Sequence, residues 1–248
     1  MPSREKLDAL VLSRRNVGEA DRLVTFFTRS HGLVRALAKG VRKIPSRRGG
    51  HLEPFSLVTT IISFSRAGSY LSTAETIDYF SELHEQPDSF ACARNMAMVV
   101  VGLFEEGQIH ASLFDAICEA WRYLPTLDAS KQAMMEVAVV LHALREGGLM
   151  PDLGACGVCG ASKPVEAIVL DASVGGWKCL SCHGKFEDAH MSLAPELLKV
   201  LRFLHVYPGR AMSLSLEYDK SQQVLTAVRY YISYVLEKPL FISPSYAG

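Results

Sequence analysis

The 248-residue chain has no long apolar run: its longest, residues 96–104, falls well short of the ~20 residues that cross a bilayer. Its opening, Met1-Pro2-Ser3-Arg4-Glu5-Lys6, leads into no apolar signal region and no small-residue cleavage site, so a cytoplasmic setting is expected. No two glycines stand two residues apart, which excludes a GxGxxG dinucleotide loop. The phosphate loop ending in Gly-Lys-Ser/Thr and the GxSxG nucleophile elbow are also missing. His51-Leu52-Glu53 matches half of a zinc-deaminase signature, but Ala155 stands where the proline before the second half belongs. No catalytic constellation emerges, so a non-enzyme is expected. With 49% hydrophobic and 21% charged residues, the chain is neither disordered nor fibrous.

Net charge is zero, yet it is unevenly spread. Residues 1–80 carry 13 Lys/Arg against 7 Asp/Glu, and residues 81–248 carry 13 against 19. Between residues 22 and 52, Arg22, Arg29, Arg35, Lys39, Arg42, Lys43, Arg47 and Arg48 meet no acidic residue. Such a stretch concentrates positive potential and would attract a polyanion, releasing its counterions. Charge alone does not separate this from a solvated basic face, nor does it choose among DNA, RNA, a membrane surface and an acidic protein tail.

The first 80 residues contain five short runs rich in β-branched and apolar residues, beginning with Leu7-Asp8-Ala9-Leu10-Val11-Leu12 and Arg22-Leu23-Val24-Thr25-Phe26-Phe27. Turn signals separate them, and no helix-period segment intervenes, so a small closed or partly closed barrel is expected. From residue 88 the period becomes helical. Asp88 is a cap for one helix, and Ser112 with Asp115 forms a capping-box pattern for the next. Helices are also expected from about residue 129 to the Gly147-Gly148 pair, from Pro195 to Pro208, and from about residue 221 to Pro239. Cys92 and Cys118 fall on apolar helical faces and read as buried thiols.

Four other cysteines form two knuckles, Cys156-Gly157-Val158-Cys159 and Cys179-Leu180-Ser181-Cys182, with 19 residues between them. Two residues between thiolates let a tight turn aim both sulfurs at one ion, and two such turns make a tetrahedral S₄ site suited to a structural Zn²⁺. Disulfides, an iron–sulfur cluster and a redox CxxC are the alternatives. His183 and His190, close to the second knuckle, read as polar surface residues rather than ligands.

Ala9-Leu10-Val11-Leu12-Ser13-Arg14-Arg15-Asn16-Val17-Gly18-Glu19-Ala20-Asp21-Arg22-Leu23-Val24 resembles the opening of the RecO family of bacterial DNA repair proteins. So do His31-Gly32-Leu33-Val34, Gly49-Gly50-His51-Leu52-Glu53-Pro54-Phe55, the Leu149–Gly160 stretch through the first knuckle, Leu193-Ala194-Pro195-Glu196-Leu197-Leu198, and Lys238-Pro239-Leu240. The resemblance implies an α+β multidomain chain. It would comprise an N-terminal OB-fold β-barrel over residues 1–80, an all-α domain over 81–150 and 192–248, and a four-cysteine zinc-finger module inserted at 151–191. It further implies a recombination mediator without turnover, active at the nucleoid. Such a protein binds single- and double-stranded DNA, anneals complementary strands, and works with RecR and the C-terminal tail of the single-stranded DNA-binding protein (SSB) to load recombinase. No membrane or small-molecule substrate is implied.

On that reading Arg35, Lys39, Arg42, Lys43, Arg47 and Arg48 are the expected phosphate contacts, with Arg14 and Arg15 behind them. Phe26, Phe27, Phe64 and Tyr70 are possible stacking platforms for bases. A second reading is a zinc-containing adaptor whose basic region docks acidic protein tails without touching DNA.

Overall fold

The first strand begins well before its apolar core. In the computed structural model, which describes residues 3–42, 51–183 and 192–237, β1 runs over Ser3–Val17 and includes the charged Arg4, Glu5 and Lys6. It is followed by β2 (Asp21–Thr28), β3 (Gly32–Ala38), β4 (Leu57–Ser65) and β5 (Gly68–Asp78). The first half of β1 pairs with β4, from Ser3 opposite Phe64 to Leu10 opposite Leu57. Its second half pairs with β2, from Ala9 opposite Thr28 to Val17 opposite Asp21. A bulge between Val11 and Ser13 bends the strand from one partner to the other.

A parallel pairing of β3 with β5 completes a closed barrel in the order β1-β2-β3-β5-β4, the OB-fold connectivity. Its interior holds Leu7, Ala9, Val11, Val24, Phe26, Val34, Ala36, Val58, Ile62 and Leu71, with Leu52 closing the stack. Strand alternation would leave the intervening residues to solvent, but Leu10, Phe27 and Leu33 are fully buried as well. The cause is a helical cover. Three helices follow the strands: α1 (Ser81–Glu85), α2 (Pro87–Leu103) and α3 (Ala111–Tyr123). Phe114 of α3 meets Phe27 at 6.1 Å, and Phe55 packs edge-on against Phe90 and Trp121 at 4.9 and 5.5 Å.

Two helix starts differ from the sequence-based expectation. Pro87 takes the first turn of α2 and displaces Asp88 from the cap. α3 starts one residue before Ser112, with His110 at its cap, and Asp115 pairs with Arg29 across to the barrel at 2.9 Å. The compact unit that contains the barrel therefore extends to Pro125, and a second unit begins at Thr126.

In the second unit α4 (Ala129–Glu146) is capped by Asp128, whose side chain accepts the Lys131 N–H. It packs against α7 (Tyr218–Val235), where Arg229 makes a two-pronged pair with the fully buried Glu136 at 2.7 and 2.8 Å. Between them lie β6 (Asp152–Cys156), β7 (Ile168–Asp171), β8 (Gly176–Cys179), the single-turn α5 (Leu180–His183) and α6 (Leu198–Val206). β8 is the central strand of a three-stranded sheet. Gly176 is required there, because a Cβ would stand 2.7 Å from the Asp152 carbonyl oxygen. Among the described residues no helix is long and apolar enough to cross a membrane.

Candidate metal centre and nucleic-acid interface

Each knuckle is placed by a strand end. Cys156 closes β6 and Cys179 closes β8, while Cys159 and Cys182 follow on the turn and on α5. The first turn is fixed by Gly160 N–H donating to the Cys156 carbonyl at 3.0 Å and Gly157 N–H to the Trp177 carbonyl at 2.9 Å. All four Sγ atoms lie within 4.8 Å of one another, so the set could hold a metal ion. Cys159 and Cys179 Sγ stand 3.8 Å apart. A tetrahedral ion with sulfur bonds of ~2.3 Å would space its ligands ~3.8 Å apart, while a disulfide needs ~2.05 Å. All four cysteines are free thiols.

Electrostatics point the same way. Burial pushes the Cys156 thiol up, but the N–H groups of Cys159, Cys179 and Val158 outweigh it and bring the group down to about 6. Burial and the adjoining Cys159 and Cys156 sulfurs push Cys179 up to about 12, and Cys182 is raised by burial and Cys159. One thiolate forms readily and the next resist it, which is the response of a sulfur cluster that wants a cation among its charges. Neither Cys92 nor Cys118 joins this cluster; burial drives Cys118 up to about 12 on α3. His190 lies outside the described residues.

At the barrel, the partner of each cation decides whether its charge reaches solvent. Arg35 pairs with Glu106 at 2.9 Å and Arg29 with Asp115, so both are largely cancelled. Arg14 is engaged by Glu53. The remaining cations gather where the β1–β2 turn meets the end of β3. Arg42 donates to the Gly18 carbonyl at 3.1 Å, Arg22 to the Asn16 amide oxygen at 3.3 Å, and the Lys39 ammonium sits 4.8 Å above the Tyr70 ring. These acceptors are neutral and leave the charge in place. Exposed Arg15 lies on the same hairpin, opposite Leu23.

Desolvation, and then the like charges of Arg14 and Arg42, hold Arg22 below its ordinary guanidinium value. Arg22 thus belongs to the basic rim; its place in the acid-free stretch was the one sequence signal for it. Glu19, Asp21 and Glu53 temper the rim, with Asp21 accepting the Gly40 N–H at 2.7 Å. Lys43, Arg47 and Arg48 lie outside the described residues.

Phe26 points into the barrel and Phe27 lies beneath α3, so neither offers a face to a ligand. Phe64 and Tyr70 are half-buried; Phe64 stacks on His31 at 5.4 Å, and Tyr70 sits under Lys39. His51 and Glu53 are taken up by Thr76 and Arg14.

Comparison with known proteins agrees with this architecture. Residues 1–80 match the family described as Recombination protein O N terminal, and residues 84–241 match Recombination protein O C terminal. The DNA repair protein RecO of Anaeromyxobacter dehalogenans (strain 2CP-1 / ATCC BAA-258) is 37% identical over 183 residues, covering 72% of this chain and 70% of the relative. That of Desulforamulus reducens is 28% identical over 236 residues, covering 95% and 91%. That of Pelotomaculum thermopropionicum is 29% identical over 239 residues, covering 95% and 90%. The chain belongs to the RecO family.

Proposed function

We propose that this RecO-family chain is a recombination mediator in DNA repair, acting by binding rather than by turnover. The barrel of residues 1–80 holds single- and double-stranded DNA along the rim built by Arg15, Arg22, Lys39 and Arg42, with Lys43, Arg47 and Arg48 as further phosphate contacts. Residues 81–150 and 192–248 serve as the helical domain, and 151–191 as the metal module. The observation that carries the reading is the sorting of cations: those at the rim rest on neutral acceptors, whereas Arg29 and Arg35 are matched by carboxylates. Neutralising phosphates at such a rim lowers the mutual repulsion of two strands while their bases stay free to pair. Annealing of complementary strands follows, and with RecR and the SSB tail as partners the chain assists recombinase loading at the nucleoid.

The four thiolates hold one structural zinc. They fill a tetrahedral shell and leave no place for a reacting water, so the ion fixes the fold of the module instead of performing chemistry.

The test is annealing of complementary oligonucleotides coated with SSB. The full chain is expected to accelerate it, and simultaneous Lys39→Glu, Arg42→Glu and Arg47→Glu substitutions to abolish that acceleration without unfolding the protein. Unimpaired annealing by the triple variant would place the DNA elsewhere.

A further inference from the structure

The cations of the second unit also sort by partner. Lys131, Lys178, Lys220 and Arg229 each lie 2.7–3.6 Å from a carboxylate oxygen. Arg145, Lys199, Arg202 and Arg210 have no carboxylate at that range among the described residues, and they converge on α6. Lys199, Arg202 and Phe203 share its outer face, opposite the buried Leu198, Leu201 and Leu204. Arg145 reaches in from the end of α4 to donate to the His205 carbonyl at 3.3 Å. Arg202 donates to the Leu153, Gly154 and Ser162 carbonyls at 2.8, 3.0 and 3.3 Å. Arg210 is exposed in the 3-10 turn Pro208–Ser213, where its backbone N–H donates to the Tyr207 carbonyl at 2.9 Å. The Arg145 and Arg202 guanidinium groups rest on neutral carbonyls, and Lys199 and Arg210 are exposed, so four positive charges persist beside the acids Glu146, Asp152 and Glu196.

An aromatic pair stands in the midst of these charges. The Phe203 and Tyr207 rings lie 5.4 Å apart, and Tyr207 is 56% exposed. Cations beside an exposed tyrosine and a half-buried phenylalanine suit a single nucleic-acid strand: phosphates take the charges and bases stack on the rings, at ~1–3 kcal/mol per base. An acidic peptide would use the charges and leave the rings idle.

We infer that the α6 corner of the second unit is a second single-strand site, which lets one chain hold two strands at once. The inference rests on the proposal that the barrel binds the first strand. It gives annealing a physical route, since two strands tethered to one chain meet at a high effective concentration.

The experiment is native mass spectrometry of the full chain with non-complementary oligothymidine of roughly 15 nucleotides, within the range of one strand-binding surface. Wild type is expected to show one chain carrying two strands. The variant Lys199→Glu/Arg210→Glu is expected to carry one, with its zinc content and far-UV spectrum unchanged, and Tyr207→Ala to lose most of the doubly loaded species. Arg202 is left intact because it ties the metal module to α6. Wild type that stops at one strand overturns this inference and leaves the barrel reading standing; wild type that binds none defeats the barrel reading itself. A double variant that still carries two strands overturns the inference. So does one that keeps two strands but loses a fluorescent acidic peptide, which would mark the corner as a peptide dock.

Discussion

Replacing Lys39 and Arg42 with glutamine removes two of the rim charges that rest on neutral acceptors, while Arg15, Arg22 and the other proposed contacts, Lys43, Arg47 and Arg48, remain. Each phosphate contact on a single strand contributes about 0.7 to the slope of log K against log salt, so losing two contacts makes the slope shallower by about 1.4. Between 50 and 200 mM salt, wild-type affinity for an oligothymidine should therefore fall about sevenfold more than that of the variant. The fold should tolerate the change, since the Lys39–Tyr70 contact is exposed and worth about 0.5–1 kcal/mol. The Arg42–Gly18 hydrogen bond is exposed too. Fluorescence anisotropy of a labelled strand across a salt series measures both slopes. Identical slopes for the two proteins would refute the rim as the phosphate contact, whatever the absolute affinities.

Other consequences are as direct. Cys156→Ser should lower the thermal midpoint and release the metal, measured by a colorimetric zinc assay; stoichiometric zinc retained by this variant would refute the four-sulfur assignment. Phe26→Ala should cost about 3–5 kcal/mol in urea unfolding with no direct effect on DNA contacts, because the ring fills the barrel. Tyr70→Ala should instead weaken strand binding by about 1–3 kcal/mol with little loss of stability, read by anisotropy and thermal melting. Burial raises the Cys118 thiol from 9.0 to about 12, so the native state keeps a proton that the unfolded chain gives up. This group's contribution is thus complete below pH 9 and declines towards pH 12, at most about 1.4 kcal/mol per pH unit. The difference between wild type and Cys118→Ala across that window isolates it, and a pH-independent difference would show that the thiol ionises in place.

What could be read from the sequence depended on how local its cause was. The two knuckles were legible because two residues between cysteines fix a turn, whatever surrounds them. The barrel was legible from short β-rich runs and their turn residues. The length of β1 was not, because Ser3, Arg4, Glu5 and Lys6 carry no apolar pattern and become a strand only through pairing with β4. Alternation placed Phe26 or Phe27 outside, yet both are buried, since α3 covers the outer face with residues from 87 positions away. The same distance hid the fate of the arginines. Arg14 and Arg35 look free in sequence and meet Glu53 and Glu106, 39 and 71 residues further on.

The way β1 divides itself between two neighbours has a practical corollary for anyone trimming the N-terminus. Residues 3–10 form the seam between β1 and β4 that closes the ring. Cutting them away would leave β4 with a row of unpaired backbone amides and carbonyls along one side, an open template for a strand from another molecule. A shortened protein should therefore precipitate or self-associate before it loses its helices.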